Sequence, residues 1–515
     1  MLSSGERADA LLHELGYAQW RDGQREAVIA ALEGRDSLIV MPTGGGKSLC
    51  YQLPGLASEE LTIVVSPLIA LMRDQWGKLN AGGHRVAMIT SGMEDWEVSE
   101  SLEMVRGDAR IVYCAPERFA SNVFLEALSH RTVDLIAVDE AHCVSEWGHD
   151  FRPDYLRLPQ VVERLGRPTV MACTATATVP VAKEIASRFG MRDPLQVRSG
   201  FDRPNLSFDV IAFEGTGSTA RRQAMLEHGL RDPANLPAIV YCGTRKQTEE
   251  VAADLRDADV AAVAYHAGLE PQHRTAIQER FMATDSGVIC ATNAFGMGVD
   301  KADVRSVWHV TIPTSVEAYY QEAGRAGRDG LPSRAVMLAQ KSDLGRLVRF
   351  NEQRAGDDLA IARERGWRAY HAIKAFIYGT DCRRRALLDH FSDRTAGAPL
   401  ERCCDVCDML DWLPDPETIP TRKPTRAKAA AAPAPDLSPA DAPLFEALKT
   451  WRLGAAEGKP AFTVASNKTL TAIAAARPQS EETLLAISGV GPAFIEKYAP
   501  DVLAIVAEHQ QQLAA

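Results

Sequence analysis

The apolar positions of the first 340 residues fall into short continuous runs separated by helix-like stretches of mixed polarity. A strand covered on both faces reads as a continuous apolar run, whereas a strand with one wet face alternates. The pattern therefore predicts α/β architecture with parallel sheets, in two series on either side of residues 199–208. The first series is 37–41, 62–66, 110–114, 134–138 and 169–173, and the second is 238–242, 261–265, 287–292, 306–310 and 335–339.

The pattern becomes helical after about residue 346 and then passes a cluster of cysteines. A stretch rich in proline, alanine and basic residues follows, which is typical of a flexible linker. Helical periodicity returns near the end of the chain and predicts a small all-α domain. The predicted divisions are a first lobe 1–205, a second lobe 206–345, a helical module 346–413, a linker 414–436 and a helical domain 437–515.

Composition and charge narrow the class of protein. No apolar stretch approaches the roughly 18 residues of a membrane span, and the first residues lack the pattern of a signal peptide. We therefore expect a cytoplasmic protein with no membrane partner. The net charge of -11 argues against a surface coated in basic residues, but local charge can still bind nucleic acid. Residues 346–389 hold ten Lys/Arg and six Asp/Glu, which fits a phosphate-contacting face or a solvated helix face.

A glycine-rich loop, MPTGGGKS, lies at 41–48 between a predicted strand and a helix-like stretch. Its glycines allow backbone N–H groups to approach phosphate oxygens, Lys47 can reach the β- and γ-phosphates, and Ser48 can hold Mg²⁺. Met41 stands where the strict pattern has glycine, so a simple turn with an exposed lysine is the alternative. The predicted phosphate-binding residues are Thr43, Gly44, Gly45, Gly46, Lys47 and Ser48.

Two carboxylates, Asp139 and Glu140, end the apolar run 134–138. Asp139 is placed to bind Mg²⁺ through its water shell, and Glu140 to orient or deprotonate the attacking water. A solvated acidic loop is the alternative, but the pair follows a strand, phosphate loop and helix by about 90 residues. Further along, Arg325 and Arg328 lie three residues apart near Gln321. An arginine across a lobe interface can stabilise charge on the transferring phosphoryl group.

These residues together resemble superfamily 2 helicases, and specifically the RecQ family of DNA helicases, over 11–413 and again from 437. The resemblance implies two RecA-like parallel-sheet lobes, a helical zinc-binding module and a small all-α C-terminal domain of the helicase-and-RNase-D type. It also implies that Thr174 and Thr176 link hydrolysis to lobe movement. Further matches to successive helicase motifs are 65–75, 173–178, 265–269 and 291–301.

The segment GYAQWRDGQ at 16–24 resembles the adenine-recognition motif of the same family. The resemblance implies that Tyr17 and Arg21 sandwich the base and that Gln24 reads its edge, so the nucleotide is ATP. It places Asp300 near the ribose. It also implies that Arg325 and Arg328 face the γ-phosphate, and that Arg328 is the arginine finger that stabilises the transferring phosphoryl group.

The segment 141–155 resembles the aromatic-rich loop that couples DNA contact to ATP hydrolysis in this family. Aromatic faces can stack on bases, and an arginine can meet phosphate or stack. Because the loop follows Glu140 directly, bound DNA could shift that carboxylate through His142 or His149. Core aromatics at the base of a loop are the alternative. The predicted DNA contacts are Trp147, His149, Phe151 and Arg152.

Four cysteines, Cys382, Cys403, Cys404 and Cys407, lie within 26 residues. Four thiolates suit a tetrahedral structural Zn²⁺, and the resemblance places a zinc module here. The adjacent pair is unusual, because one member must reach the metal from a bent backbone. The alternative is reduced thiols in a helical hairpin.

The resemblance implies a DNA-stimulated ATPase that moves 3′ to 5′ on single-stranded and forked DNA in repair or recombination. Candidate partners are single-strand-binding protein and other repair proteins. RecQ proteins often carry a winged-helix domain after the zinc module, and the 23-residue linker is too short to hold one. Alternatives are an RNA helicase or remodeller of the same superfamily, and a DNA-binding scaffold with weak unwinding. The C-terminal domain could bind DNA phosphate at a Gly-Val-Gly-Pro turn or serve protein contacts.

Overall fold

The computed structural model describes most of the chain as two compact units, Met1–Thr421 and Arg422–Ala515. No helix in the described part is long and apolar enough to cross a membrane. The described residues are 3–42, 44–145, 150–293, 295, 301–352, 360–421, 441–456, 464–465, 467–485, 487, 490 and 492–514.

The first lobe is a seven-stranded parallel sheet in the order β3-β4-β2-β5-β6-β1-β7, with helices between the strands. The strands are β1 Ser37–Val40, β2 Leu61–Val65, β3 Val86–Ile89, β4 Ile111–Cys114, β5 Val133–Val138, β6 Thr169–Thr174 and β7 Leu195–Arg198. The helices are α1 Ser4–Glu14, α2 Gln24–Leu32, α3 Lys47–Ala57, α4 Ile69–Ala81, α5 Asp95–Arg106, α6 Asn122–Ser129, α7 Leu158–Arg164 and α8 Val179–Arg188. Because β5, β6 and β1 are neighbours, the loops at their carboxyl ends meet at one edge of the sheet.

The second lobe is a six-stranded parallel sheet in the order β10-β11-β9-β12-β13-β8. Its strands are β8 Leu206–Phe213, β9 Ala238–Tyr241, β10 Ala262–Tyr265, β11 Val288–Ala291, β12 Ser306–His309 and β13 Ser333–Gln340. Its helices are α9 Ser218–Arg231, α10 Arg245–Asp257, α11 Pro271–Ala283 and α12 Val316–Ala323. The two predicted parallel-sheet lobes are therefore confirmed.

Each of the ten predicted apolar runs overlaps an observed strand, and three strands were not predicted. Of these, β3 and β7 are the two edges of the first sheet, and β7 alternates between buried and exposed positions. Strand β7 was missed because an edge strand with one wet side has no continuous apolar run, whereas β3 is a buried apolar run of only four residues. In β8 the run is interrupted by Asp209, whose buried carboxylate accepts from the Arg402 guanidinium at 3.0 Å.

The helical module that follows packs directly on the second lobe. Its helices are α13 Lys341–Glu352, α14 Ala360–Tyr378 and α15 Arg383–His390. Leu387, Leu388 and Phe391 are buried in the same hydrophobic cluster as Phe208 of β8. The backbone N–H of Phe208 also donates to the carbonyl of Cys403 at 3.1 Å. The cysteine-containing loop is thus attached to the edge of the second sheet.

The structure differs from the sequence prediction at the start of the linker. Leu413 and Ile419 are buried in the core cluster of the second lobe. Trp412 packs edge-on against Trp308, with ring centroids 5.9 Å apart, and the Arg334 guanidinium lies 4.0 Å above its ring. The compact unit therefore extends to Thr421 rather than ending at 413. The sequence prediction missed these few buried apolar residues because the segment around them is rich in proline. The rest of the predicted linker lies outside the described residues.

The second unit is helical, as predicted. Its helices are α16 Ala442–Ala455, α17 Asn467–Ala476, α18 Glu481–Leu485 and α19 Pro492–Ala514. Their apolar faces meet in one small core that includes Leu444, Leu448, Ile473, Val502 and Val506. The two glycines of the predicted Gly-Val-Gly-Pro turn lie outside the described residues.

Candidate active site and metal centre

The glycine-rich loop joins β1 to α3, so it presents the N-terminus of a helix, which favours anions. Gly44 and Gly46 have φ values of 83° and 81°, in the left-handed region that favours glycine. A Cβ at Gly46 would lie 2.3 Å from Gln24 Nε2, so this glycine also permits a close approach. Lys47 Nζ donates to the carbonyls of Met41 at 3.0 Å and Pro42 at 3.3 Å, and therefore lies against the loop. Thr43 lies outside the described residues, while Gly45 and Ser48 are half-buried.

The predicted adenine motif contacts this loop directly. Gln24 is buried, and its side-chain amide donates to the carbonyls of Gly46 at 3.0 Å and Gly45 at 3.4 Å. Gln24 Oε1 accepts from the backbone N–H of Arg21 at 2.8 Å. The Arg21 guanidinium donates to the carbonyl of Gly44. Tyr17 remains 51% exposed. The structure thus brings Arg21 and Gln24 against the phosphate loop and leaves the tyrosine ring accessible.

The two carboxylates lie at the carboxyl end of β5. Asp139 is buried, accepts from Ser66 Oγ at 3.2 Å, and its carbonyl accepts from the Tyr155 hydroxyl at 2.9 Å. Glu140 has a φ of 47°, which strains a residue other than glycine and is typical of functional sites. Its Oε2 has no hydrogen-bond partner among the described residues.

Burial, together with the charge of Asp139, raises the pKa of Glu140 to about 7, although the charges of Lys47 and Arg325 oppose the shift. Burial also raises the pKa of Asp139, against the opposing charge of Lys47. A carboxylate with a pKa near the working pH can both accept and release a proton. The site therefore contains one candidate general base, Glu140, beside a second acidic group suited to an Mg²⁺ water shell.

A chain of polar contacts runs from these carboxylates to the second lobe. His142 Nδ1 lies 2.9 Å from Thr174 Oγ1, which is a hydrogen bond, and 3.3 Å from Glu140 Oε2, where hydrogen-bond alignment is lacking. Thr174 Oγ1 accepts from the backbone N–H of Thr176 at 3.3 Å. Gln321 Nε2 donates to Thr176 Oγ1 at 3.4 Å. This contact crosses between the lobes and places Gln321 at their interface.

The two predicted arginines follow α12 and also face the first lobe. Arg325 is close enough to Glu140 for its charge to act on that carboxylate. The side chain of Arg328 passes Gly44, since a Cβ there would lie 3.6 Å from Arg328 Cγ. The structure therefore brings Lys47, Asp139, Glu140, Arg325 and Arg328 together. Asp300 lies outside the described residues.

The predicted DNA-contact loop is described only in part, because Trp147 and His149 lie outside the described residues. Phe151 is half-buried. The Arg152 guanidinium pairs with Asp150 Oδ2 at 3.0 Å, and its backbone N–H donates to the carbonyl of Cys143 at 3.0 Å. Sequence reasoning gave Tyr155 no role, yet this buried residue ties the end of the loop to Asp139. The sequence signal that could have indicated a role for Tyr155 is that its loop directly follows the two carboxylates.

The sulfur atoms of Cys382, Cys403, Cys404 and Cys407 all lie within 4.8 Å of one another. Cys382 Sγ is 3.5 Å from Cys403 Sγ and 4.0 Å from Cys404 Sγ. Ligands of a tetrahedral zinc with Zn–S bonds of about 2.3 Å would be about 3.8 Å apart. Backbone N–H groups of Arg383 and Arg385 donate to Cys404 Sγ at 3.4 Å and Cys382 Sγ at 3.5 Å, which suits thiolate charge. The donor set fits a structural Zn²⁺, and both adjacent cysteines reach the cluster.

Comparison with known families matches four regions of the chain in the same order as the observed parts. They are the DEAD/DEAH box helicase domain over 21–185, the helicase conserved C-terminal domain over 221–330, the RecQ zinc-binding domain over 341–408 and the HRDC domain over 441–506. The two lobes therefore match, in order, the two domains of a DEAD/DEAH-box helicase.

Individual relatives narrow the class. The ATP-dependent DNA helicase RecQ of Pasteurella multocida is 37% identical over 406 residues, which cover 78% of this chain and 62% of that protein. The RecQ helicase of Bacillus subtilis is 39% identical over 402 residues, covering 76% and 66%. A Q1-type helicase sequence of Caenorhabditis briggsae is 33% identical over 423 residues, covering 81% and 67%. The chain belongs to the RecQ family of helicases, and it spans about 62% of the length of the first of these relatives.

Solved structures share the fold at low sequence identity. The helicase MrfA bound to DNA and AMPPNP has a TM-score of 0.55 and 22% identity, covering 68% of this chain and 53% of that chain. The Mycobacterium smegmatis helicase Lhr bound to ssDNA and AMP-PNP has a TM-score of 0.52 and 21% identity, covering 79% and 57%. These likenesses agree with the two-lobed architecture.

Proposed function

We propose that this protein is a DNA-stimulated ATPase that moves 3′ to 5′ on single-stranded DNA and separates the strands of forked or tailed duplexes in repair or recombination. The observation that carries the proposal is the nucleotide site shared between the lobes. Lys47, Asp139 and Glu140 come from the first lobe, whereas Arg325 and Arg328 come from the second. A site split in this way makes ATP hydrolysis dependent on lobe closure. The polarity rests on the family alone.

Each site residue has a separate task in this proposal. The loop amides and Lys47 hold the β- and γ-phosphates, and Ser48 and Asp139 are the residues that would hold Mg²⁺. The bound metal would neutralise charge on the phosphate oxygens. Glu140 takes the proton of the attacking water, and Arg328 and Arg325 stabilise the transferring phosphoryl group. Tyr17, Arg21 and Gln24 recognise adenine, and Asp300 lies near the ribose.

DNA binding acts on the two carboxylates indirectly, through the loop at 141–155. The residues of this loop that contact DNA are Trp147, His149, Phe151 and Arg152. The loop is suited to this because Tyr155 bonds to the carbonyl of Asp139 and Arg152 to that of Cys143. A shift of the loop would therefore move the backbone beside Glu140. A chain of hydrogen bonds then connects this backbone to the second lobe. Its members are His142, Thr174, Thr176 and Gln321.

We also propose the parts that surround the motor. The four cysteines hold one structural Zn²⁺, and the divisions are those predicted, with the linker beginning after Thr421. The RecQ zinc-binding match ends at 408 and the HRDC match begins at 441, a gap shorter than the roughly 50 residues of a small domain. A winged helix therefore has no room there, and strand separation relies on the lobes and the zinc module. Single-strand-binding protein and other repair proteins are candidate partners.

Replacing Lys47 with alanine tests the nucleotide site. Hydrolysis should fall by more than about 100-fold, while binding of a labelled single strand, followed by fluorescence anisotropy, stays close to that of the parent. Lys183→Ala is the matched control, because Lys183 is an exposed lysine of the same lobe. Normal turnover in Lys47→Ala would refute the assignment.

The nucleic-acid specificity and the strand-separating activity need two further measurements on the parent protein. Single-stranded DNA should stimulate hydrolysis more than RNA of the same sequence; the reverse order would favour the RNA helicase. Forked, 3′-tailed and blunt duplexes then show whether hydrolysis drives strand separation. We expect forked and 3′-tailed substrates to open, and equal opening of a 5′-tailed duplex would contradict the polarity.

A further inference from the structure

The turn that carries Arg325 and Arg328 begins where α12 ends, at Gly324. Carbonyls beyond a helix end have no partners within the helix and need donors from elsewhere. Arg203, in the segment that joins the lobes, supplies them: its guanidinium donates to the carbonyls of Gly324 at 3.0 Å, Ala326 at 2.9 Å and Gly327 at 3.1 Å. These three carbonyls flank Arg325 on both sides and directly precede Arg328.

Asn205, two residues further along, holds the other side of the same turn. Its side-chain amide donates to the carbonyls of Gly327 at 2.7 Å and Leu331 at 2.9 Å. Gly327 has a φ of 56°, and a Cβ there would lie 2.4 Å from Asn205 Nδ2. The glycine is therefore needed both for the backbone conformation and for this approach. Two side chains of one short segment thus fix the backbone from 324 to 331.

The bonding of Arg203, which is half-buried, is unusual for a cation withdrawn from water. Burial lowers the pKa of Arg203, and only Tyr320 opposes the shift. Among the described residues no carboxylate lies within ion-pairing distance of this guanidinium. A charge taken out of water is destabilising unless hydrogen bonds replace its hydration, and here the carbonyls of the turn do so. The planar guanidinium can meet several carbonyls at once, which a lysine ammonium cannot match.

The segment that carries these residues is itself held from the opposite side by the zinc module. Asp202 accepts from the Arg384 guanidinium and from the backbone N–H of Ala398 at 3.0 Å. The ring of Phe201 stacks on that of Phe391, with centroids 4.4 Å apart and planes 1° apart. The backbone N–H of Phe201 donates to Asp393 Oδ2 at 2.6 Å. Residues 201–205 therefore lie between the zinc module and the arginine turn, that is, residues 324–331.

We propose that Arg203 and Asn205 are positioning residues that aim Arg325 and Arg328 at the γ-phosphate of ATP, an inference that rests on the proposed ATPase function. Both act through the backbone of the turn. An arginine stabilises a transferring phosphoryl group only when it is held in place before the reaction, and a displacement of about 1 Å can lower the rate by roughly 100-fold. Asp202 and Phe201 transmit the support of the zinc module to the same turn.

The test compares Arg203→Ala and Asn205→Ala with Arg131→Ala in the whole chain. Arg131 also donates to two backbone carbonyls, those of Gly107 and, at 3.1 Å, Glu59, which lie in the first lobe outside the arginine turn and the segment 201–205. The readouts are kcat and KM for ATP, binding of ADP alone, and binding of ADP with aluminium fluoride, which mimics the transferring phosphoryl group. We expect Arg203→Ala to lower kcat and the affinity for ADP–aluminium fluoride by about 100-fold, with the affinity for ADP and the KM unchanged.

Arg203→Lys should recover part of the loss, because an ammonium can satisfy some of the carbonyls, and Arg131→Ala should behave as the parent. Asn205→Ala is the milder variant, because it removes two hydrogen bonds and leaves the Arg203 guanidinium bonded to its three carbonyls. It therefore carries the test if Arg203→Ala fails to fold. Equal losses for ADP and for ADP–aluminium fluoride, or a normal kcat in folded Asn205→Ala and Arg203→Ala, would overturn the positioning role. Absence of DNA-stimulated ATP hydrolysis in the parent protein would instead refute the proposed ATPase function, so the two failures are distinguishable.

Discussion

Replacing Gly46 with alanine adds a single carbon atom, Cβ, at the contact between the phosphate loop and the adenine motif. Gly46 and Gly83 share almost the same backbone conformation, with φ values of 81° and 79°. A side chain in this region costs about 1–2 kcal/mol at either position. The surroundings differ: a Cβ at Gly83 meets nothing within 4 Å, whereas a Cβ at Gly46 would lie 2.3 Å from Gln24 Nε2.

The extra cost at Gly46 follows from the bonds that Gln24 must give up when it moves aside. They are the donations to Gly46 at 3.0 Å and Gly45 at 3.4 Å and the acceptance from Arg21 at 2.8 Å. Each typical hydrogen bond contributes about 0.5–1.5 kcal/mol, and the longest of the three contributes least. We therefore expect Gly46→Ala to destabilise the first lobe by about 1–3 kcal/mol more than Gly83→Ala does.

The assay is a double-mutant cycle with Gln24→Ala, in which the free energy of unfolding of each variant is measured without nucleotide. If the clash with Gln24 causes the difference, Gly46→Ala in the Gln24→Ala background should cost no more than Gly83→Ala. The KM for ATP should rise for Gly46→Ala and stay unchanged for Gly83→Ala. Equal costs for the two glycine variants in the parent, or the same cost of Gly46→Ala in both backgrounds, would refute this reasoning.

Two further outcomes are expected. Because burial raises the pKa of Glu140 to about 7 and only its ionised form can take a proton, kcat/KM for ATP should fall about tenfold per unit of pH below that value; an acid limb near pH 4.5, or retained activity in Glu140→Gln, would contradict this. Purified protein should contain about one zinc per chain, and Cys404→Ser should lose it together with part of the thermal stability, whereas the buried Cys242→Ser keeps it. A metal-free protein that unfolds at the parent's temperature would disprove the metal site.

Much of the candidate site could be predicted because its residues lie in short segments whose chemistry is local. A glycine-rich loop between a strand and a helix favours phosphate binding through its own backbone N–H groups, so Lys47 can be identified from its sequence neighbours. The same holds for Asp139 and Glu140 at the end of an apolar run, and for four cysteines in 26 residues. The edge strand β7 was not predicted because its side chains alternate between buried and exposed positions.

The sequence by itself determined the two parallel sheets and the chemical identity of the nucleotide site, because continuous apolar runs and loop motifs depend only on near neighbours. The tertiary structure alone decided which distant groups meet. Arg203 bonds to carbonyls more than 120 residues away, and Gln321 reaches Thr176 across 145 residues. Such contacts depend on how the two lobes and the zinc module pack, a property of the whole fold that no local pattern encodes. That packing brings the phosphate loop of the first lobe and the arginine turn of the second lobe together in one site.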